Sequence, residues 1–264
     1  MKMTAITNIL FLALTLYSTD QAVAIQGGQP AEPGEFPYMV SIRDSRNVHI
    51  CGGTIIGDIW VLSSNPCYSR SWFGYVRYGS NLLNDEGQLP ADRSLNVIKV
   101  NESLYNPTAA DIPPWSFDCV LIRLNEAIPF NKVVYPVKLA SADQNWPYNR
   151  KATILGWGQP NARANQLALQ KTIVPLYTDE FCTSYNYNGW SIPRTNVMKC
   201  GGEVKVSYHC YNDYGGPVIV DDIQYGILSY VHGHIKDGSE CGDYPNIYSP
   251  VSVFRKWIHE TTGI

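Results

Sequence analysis

The pattern of apolar and polar positions divides the chain into short extended runs separated by turn-forming residues. Tyr38 to Ile42, Ile59 to Leu62, Val120 to Leu124 and Ala152 to Leu155 are rich in aliphatic, β-branched or aromatic side chains and lie between Gly, Pro, Asn or Asp positions. Runs of that length and composition predict strands. Pro217 to Val220 and Ile223 to Tyr230 flank Asp221-Asp222, a two-residue connection of the kind that closes a β-hairpin. Only at the C-terminus does the period change, where Val251, Phe254, Trp257 and Ile258 fall on one face of a helix. Residues 130–145 carry no strong strand signal and predict a crossover between two halves. The pattern as a whole predicts an all-β protein, an antiparallel sandwich or barrel with a terminal α-helix.

The first 24 residues stand apart. Lys2 precedes the apolar stretch Ile9 to Tyr17, and Ala22-Val23-Ala24 supplies the small residues that signal peptidase favours. This predicts a signal peptide over residues 1–24 and a secreted, extracellular domain over 25–264. A cut nearer Thr19 would leave a short pro-segment. In an oxidising compartment the seven cysteines (Cys51, Cys67, Cys119, Cys182, Cys200, Cys210 and Cys241) read as disulfides with one left over. Asn101-Glu102-Ser103 is a glycosylation sequon.

Composition narrows the function. Charged residues make up 16% of the 264, with 20 basic and 23 acidic side chains interspersed and a net charge of −3. No Lys/Arg cluster is present, which argues against a nucleic-acid partner or a polybasic membrane patch. With 45% hydrophobic residues, among them 18 Tyr, 7 Trp and 7 Phe, the chain is not of the disordered class. No apolar run reaches the roughly 18 residues of a membrane-spanning helix.

Several motifs agree in order along the chain. They are Ile25-Gln26-Gly27-Gly28, Gly34 to Ile42, Cys51-Gly52-Gly53-Thr54-Ile55-Ile56, Trp60-Val61-Leu62, Gly156-Trp157-Gly158, and Cys210 through Pro217. Together they resemble the trypsin-like serine proteases over nearly all of residues 25–264. The resemblance implies two six-stranded antiparallel β-barrels with the active site in the cleft between them. It also implies the pairings Cys51–Cys67, Cys182–Cys200 and Cys210–Cys241, with Cys119 a free thiol.

That family's chemistry needs a serine that attacks, a histidine that takes its proton and an aspartate that orients the imidazole. The histidine belongs just before the second cysteine of the first disulfide, where this chain reads Ser63-Ser64-Asn65-Pro66-Cys67. Pro66 cannot accept a proton. The serine belongs in a Gly-Asp-Ser-Gly-Gly-Pro run, which here is Asn212-Asp213-Tyr214-Gly215-Gly216-Pro217. Tyr214 therefore stands at the nucleophile position and Asn212 at a glycine of the oxyanion hole. The aspartate is kept as Asp118, for which a structural hydrogen bond to Ser229 is the expected role. In the specificity pocket Tyr208 replaces the acidic residue that binds Lys or Arg, and Val231 and Asn246 occupy glycine positions. The predicted pocket is sterically closed. Finally, the resemblance implies that cleavage before Ile25 frees an ammonium that pairs with Asp213.

The remaining chemistry-bearing residues are thinner signals. His232-Gly233-His234 offers two metal ligands where sites usually recruit three or four, and reads as an exposed loop. No cofactor or metal is called for. His49, His209 and His259 stand near no Ser or Cys in a recognisable arrangement. Cys119, at an inward strand position, reads as a small buried hydrophobe rather than a nucleophile. More narrowly, the chain resembles the inactivated protease paralogues of the scabies mite. This implies a pseudoprotease that binds host complement components. The rival readings are a non-catalytic cofactor in an endogenous arthropod proteolytic cascade and an active hydrolase with relocated catalytic residues.

Overall fold

The computed structural model describes residues 25–69, 74–84, 97–105, 118–158, 167–187, 190–191, 196–231 and 241–264. The proposed signal peptide and His232 and His234 lie outside them. The first half contains β1 (Gln29–Pro30), β2 (Met39–Arg43), β3 (His49–Ile55), β4 (Trp60–Ser63), helix α1 (Asn65–Ser69), β5 (Tyr75–Tyr78), β6 (Val97–Tyr105) and β7 (Val120–Leu124). The second contains β8 (Lys138–Leu139), β9 (Lys151–Gly156), β10 (Gln170–Pro175), helix α2 (Asp179–Ser184), β11 (Asn186–Tyr187), β12 (Trp190–Ser191), β13 (Lys199–Gly201), β14 (Pro217–Val220), β15 (Ile223–Tyr230), β16 (Asn246–Pro250) and helix α3 (Val251–Thr262).

β2-β3-β4-β7-β6-β5 close into an antiparallel barrel. The second sheet runs β1-β10-β9-β14-β15-β16-β13. β10 meets β13 where Leu176 bridges Gly201, with Tyr177 N–H donating to the Cys200 carbonyl at 3.0 Å and Gly202 N–H to that of Pro175 at 3.0 Å. Six of its strands thus curl into the second barrel. β8, inside the expected crossover at 130–145, adds to β15 in parallel. The hairpin at Asp221-Asp222 is β14–β15, with φ of 49° and 60° at the two aspartates. Those left-handed angles match the twist of a tight hairpin turn, and Asp tolerates them better than most residues.

Val251, Phe254 and Ile258 of α3 are buried, and Trp257 packs half-buried against the core. Gly263, at φ 78°, ends the helix with its N–H on the His259 carbonyl. The two barrels are joined by polar ties as well as apolar packing. Thr54 donates to the Gln224 side chain at 2.8 Å, and the Trp157 indole to the Asn81 carbonyl at 2.8 Å. The disulfides are Cys51–Cys67, Cys182–Cys200 and Cys210–Cys241, and Cys119 is a buried free thiol. Asn101 lies within β6, at the register shift between Val100 and Glu102, rather than in a loop.

Candidate functional site at the barrel interface

Asp118 lies two residues before β7, and Ser229 lies on β15 of the other barrel. The Ser229 hydroxyl donates to Asp118 Oδ2. The Asn65 side chain on α1 lies near enough to lower the pKa of the same carboxylate. Burial pushes the Asp118 carboxyl up to about 7, and the Ser229 hydrogen bond and the nearby Asn65 amide oppose that rise. Beside it, burial and the Asp118 charge push the Cys119 thiol well up. Pro66 occupies the first turn of α1, where a missing N–H costs no helix bond.

Tyr214 is buried, and its carbonyl accepts the Gly52 N–H at 2.9 Å across the interface. Two residues earlier, Asn212 has φ 66°, a conformation that Asn adopts more readily than most side chains. Its carbonyl is bound 3.2 Å from His49 Nε2. A carbonyl only accepts, so Nε2 carries the proton and Nδ1 takes the Ser41 hydroxyl at 2.8 Å. Arg43 Nε donates in turn to Ser41 at 3.2 Å. Burial and the Arg43 charge lower His49 to about 3. The expectation that His49 stands near no serine is therefore corrected, since β2 and β3 pair Ser41 with Gly52 and bring this ring alongside. The Ser41–His49 pair is buried, with both imidazole nitrogens and the serine oxygen engaged.

At the pocket positions, a side chain placed on Gly242 would collide with the Tyr208 ring, so that ring lies flush against the 242 backbone. The Asn246 side chain is 1% exposed and binds both backbone groups of His209. Its Oδ1 accepts the N–H at 2.7 Å and its Nδ2 donates to the carbonyl at 3.2 Å. The His209 ring is buried, with Nε2 donating to the Leu155 carbonyl at 3.2 Å and Nδ1 accepting from Tyr248 at 3.4 Å. Burial lowers His209 to about 3. Val231 is also buried. Each of the three positions thus carries a side chain larger than glycine, with Asn246 and Val231 buried.

The sequence matches the Trypsin family over residues 25–258. The chain belongs to the trypsin family. It is 32% identical over 270 residues to the trypsin of Phaedon cochleariae, with 98% of this chain and 97% of that protein covered. It is also 32% identical over 251 residues to transmembrane protease serine 9 of Rattus norvegicus, spanning 90% of this chain but 22% of that protein. The fold resembles that of neuropsin, a serine protease expressed in the limbic system of mouse brain, with a TM-score of 0.72 at 25% identity over 89% of this chain and 98% of that one.

Within this trypsin-family frame, Asp213 is wholly buried. Its carboxylate accepts the Gly158 N–H at 2.7 Å and the Cys210 N–H at 2.9 Å. A side chain on Gly156 or Gly158 would collide with that carboxylate, which is the physical reason for glycine on both sides of Trp157. Burial pushes Asp213 up to about 8 against its two backbone donors. Ile25 is also fully buried, and Gln26 bridges Tyr208. Among the described residues no group of three His, Cys, Asp or Glu could hold a metal ion. No described helix is long and apolar enough to cross a membrane. Sequence reasoning missed the Ser41–His49 pair, whose partners lie on different strands.

Proposed function

We propose that this chain is a secreted member of the trypsin family that no longer hydrolyses peptides and acts by binding host complement proteins. The observation that carries the reading is the pair of residues at the base and nucleophile positions. Pro66 has no titratable group, and Tyr214 is a buried phenol with no imidazole at position 66 to take its proton. The filled positions 208, 231 and 246 support the same reading, because a substrate side chain has no room to be oriented. The barrels and disulfides persist as a rigid scaffold for a binding surface. Complement as the target follows from the resemblance to the scabies mite paralogues, and a Tyr-rich, low-charge composition suits protein recognition.

Two measurements test this. A serine-reactive fluorophosphonate should leave the native protein unlabelled, and added protein should protect sensitised red cells from lysis in human serum, saturably and with complement components uncleaved. Labelling would favour a hydrolase with relocated residues, with Ser41→Ala the first variant to make. Absence of protection at micromolar concentrations of folded protein would favour the endogenous cascade cofactor, which a pull-down from haemolymph against host plasma would identify.

A further inference from the structure

The Asn246 side chain makes contacts that a neighbouring strand would ordinarily make. Asn246 opens β16 and is paired through its own backbone with Gly201 of β13. Its amide turns instead to His209, accepting from the N–H at 2.7 Å and donating to the carbonyl at 3.2 Å. A primary amide can do both at once, as a peptide group does. His209 is wholly buried, so its two backbone groups need a protein partner in place of water. The His209 N–H belongs to the planar 208–209 peptide, so the 2.7 Å bond fixes the plane from which Tyr208 projects. The imidazole is held as well, between the Leu155 carbonyl and the Tyr248 hydroxyl.

The Tyr208 ring lies on the backbone of Gly242, which has φ 87°, and leaves no room for a β-carbon there. The glycine side of this contact is anchored separately. The Gly242 carbonyl accepts the Lys205 N–H at 2.8 Å, and the adjoining Cys241 is bonded to Cys210. We propose that Asn246 is a positioning residue for Tyr208: standing in for a strand beside His209, it sets the 208–209 peptide and holds the Tyr208 ring on Gly242. Closure of the specificity pocket then belongs to Tyr208 and Asn246 together. That last step rests on the reading that position 208 lines the pocket, whereas the positioning role does not.

The test is made by NMR on isotope-labelled secreted protein. Asn246→Leu keeps a branched side chain of similar shape and removes both hydrogen bonds, which separates positioning from space filling. The His209 amide should exchange with solvent at least about tenfold faster in the variant, while the Leu121 amide in β7 of the first barrel keeps its rate. The NOE between the Tyr208 ring and the Gly242 α-protons, present in the unmodified protein, should be lost. Unchanged exchange at His209 would overturn the proposal, as would equal acceleration at Leu121 or an NOE that survives the substitution. If Asn246→Leu does not fold, the unmodified protein decides. It should show a scalar coupling across the hydrogen bond from the Asn246 amide to the His209 carbonyl, together with the Tyr208–Gly242 NOE, and absence of either would overturn the proposal. Near-trypsin hydrolysis of an arginyl ester by the double variant Pro66→His, Tyr214→Ser would overturn the closure alone, and the NMR readouts would still decide the positioning role.

Discussion

Asp213 gives the sharpest prediction, because its carboxylate is wholly buried and, among the described residues, only backbone N–H groups bind it. The perturbation is one residue at the N-terminus: protein beginning at Ile25 against protein beginning at Ala24, in which the Ile25 nitrogen is an amide. We expect the free ammonium to pair with Asp213. In the extended form the Asp213 pKa is about 8, against 3.8 for a free carboxyl. Between those values the folded state holds a proton that the unfolded state has released, so stability falls as pH rises from about 4 to about 8 and levels off above. In the form beginning at Ile25 the ammonium keeps Asp213 ionised and that loss is absent. The full span corresponds to roughly 6 kcal/mol at about 1.36 kcal/mol per pH unit. The usual cost of breaking a buried pair, about 3–5 kcal/mol, is the better guide. His49 and His209 act equally in both forms and cancel in the difference. The assay is guanidinium denaturation of both forms at mildly acidic and mildly alkaline pH. The stability gap should widen toward alkaline pH, and Asp213→Asn should abolish the widening. A gap that does not change with pH would refute the reasoning.

Other outcomes follow from the same geometry. The double variant Pro66→His, Tyr214→Ser should hydrolyse an arginyl ester far more slowly than a trypsin, because the proposed obstruction by Tyr208, Val231 and Asn246 is left in place; near-trypsin rates would show that the pocket is open. His49 and His209, both lowered from 6.5 to about 3, are buried neutral, so their contribution is lost as pH falls from about 6.5 toward 3. His209→Gln should therefore flatten acid unfolding monitored by circular dichroism, and an unchanged acid midpoint would contradict this. The Cys119 thiol, buried and pushed well up, should resist Ellman's reagent in native protein and react at once on denaturation. Replacing Cys182 and Cys200 together by Ala, across a sequence separation of 18, should cost about 2–4 kcal/mol in chemical denaturation.

Much of this protein is local and was legible in the chain itself. Strands such as Val120–Leu124 and the hairpin at Asp221-Asp222 follow from short apolar runs and the turn residues between them, and the α3 stripe from its period. The substitutions Pro66 and Tyr214 could be read because they sit beside cysteines and glycines that mark their places. Tertiary structure alone decided which side chains meet. His49 reaches the Asn212 carbonyl across 163 residues. Asn246 satisfies the backbone of His209 from 37 residues away. β8 pairs in parallel with β15, a contact no alternation pattern encodes. A buried polar group must find a partner, but its sequence neighbours do not name that partner. The closing of two barrels against each other does, and so the partners of His49 and His209 came into view only with the fold.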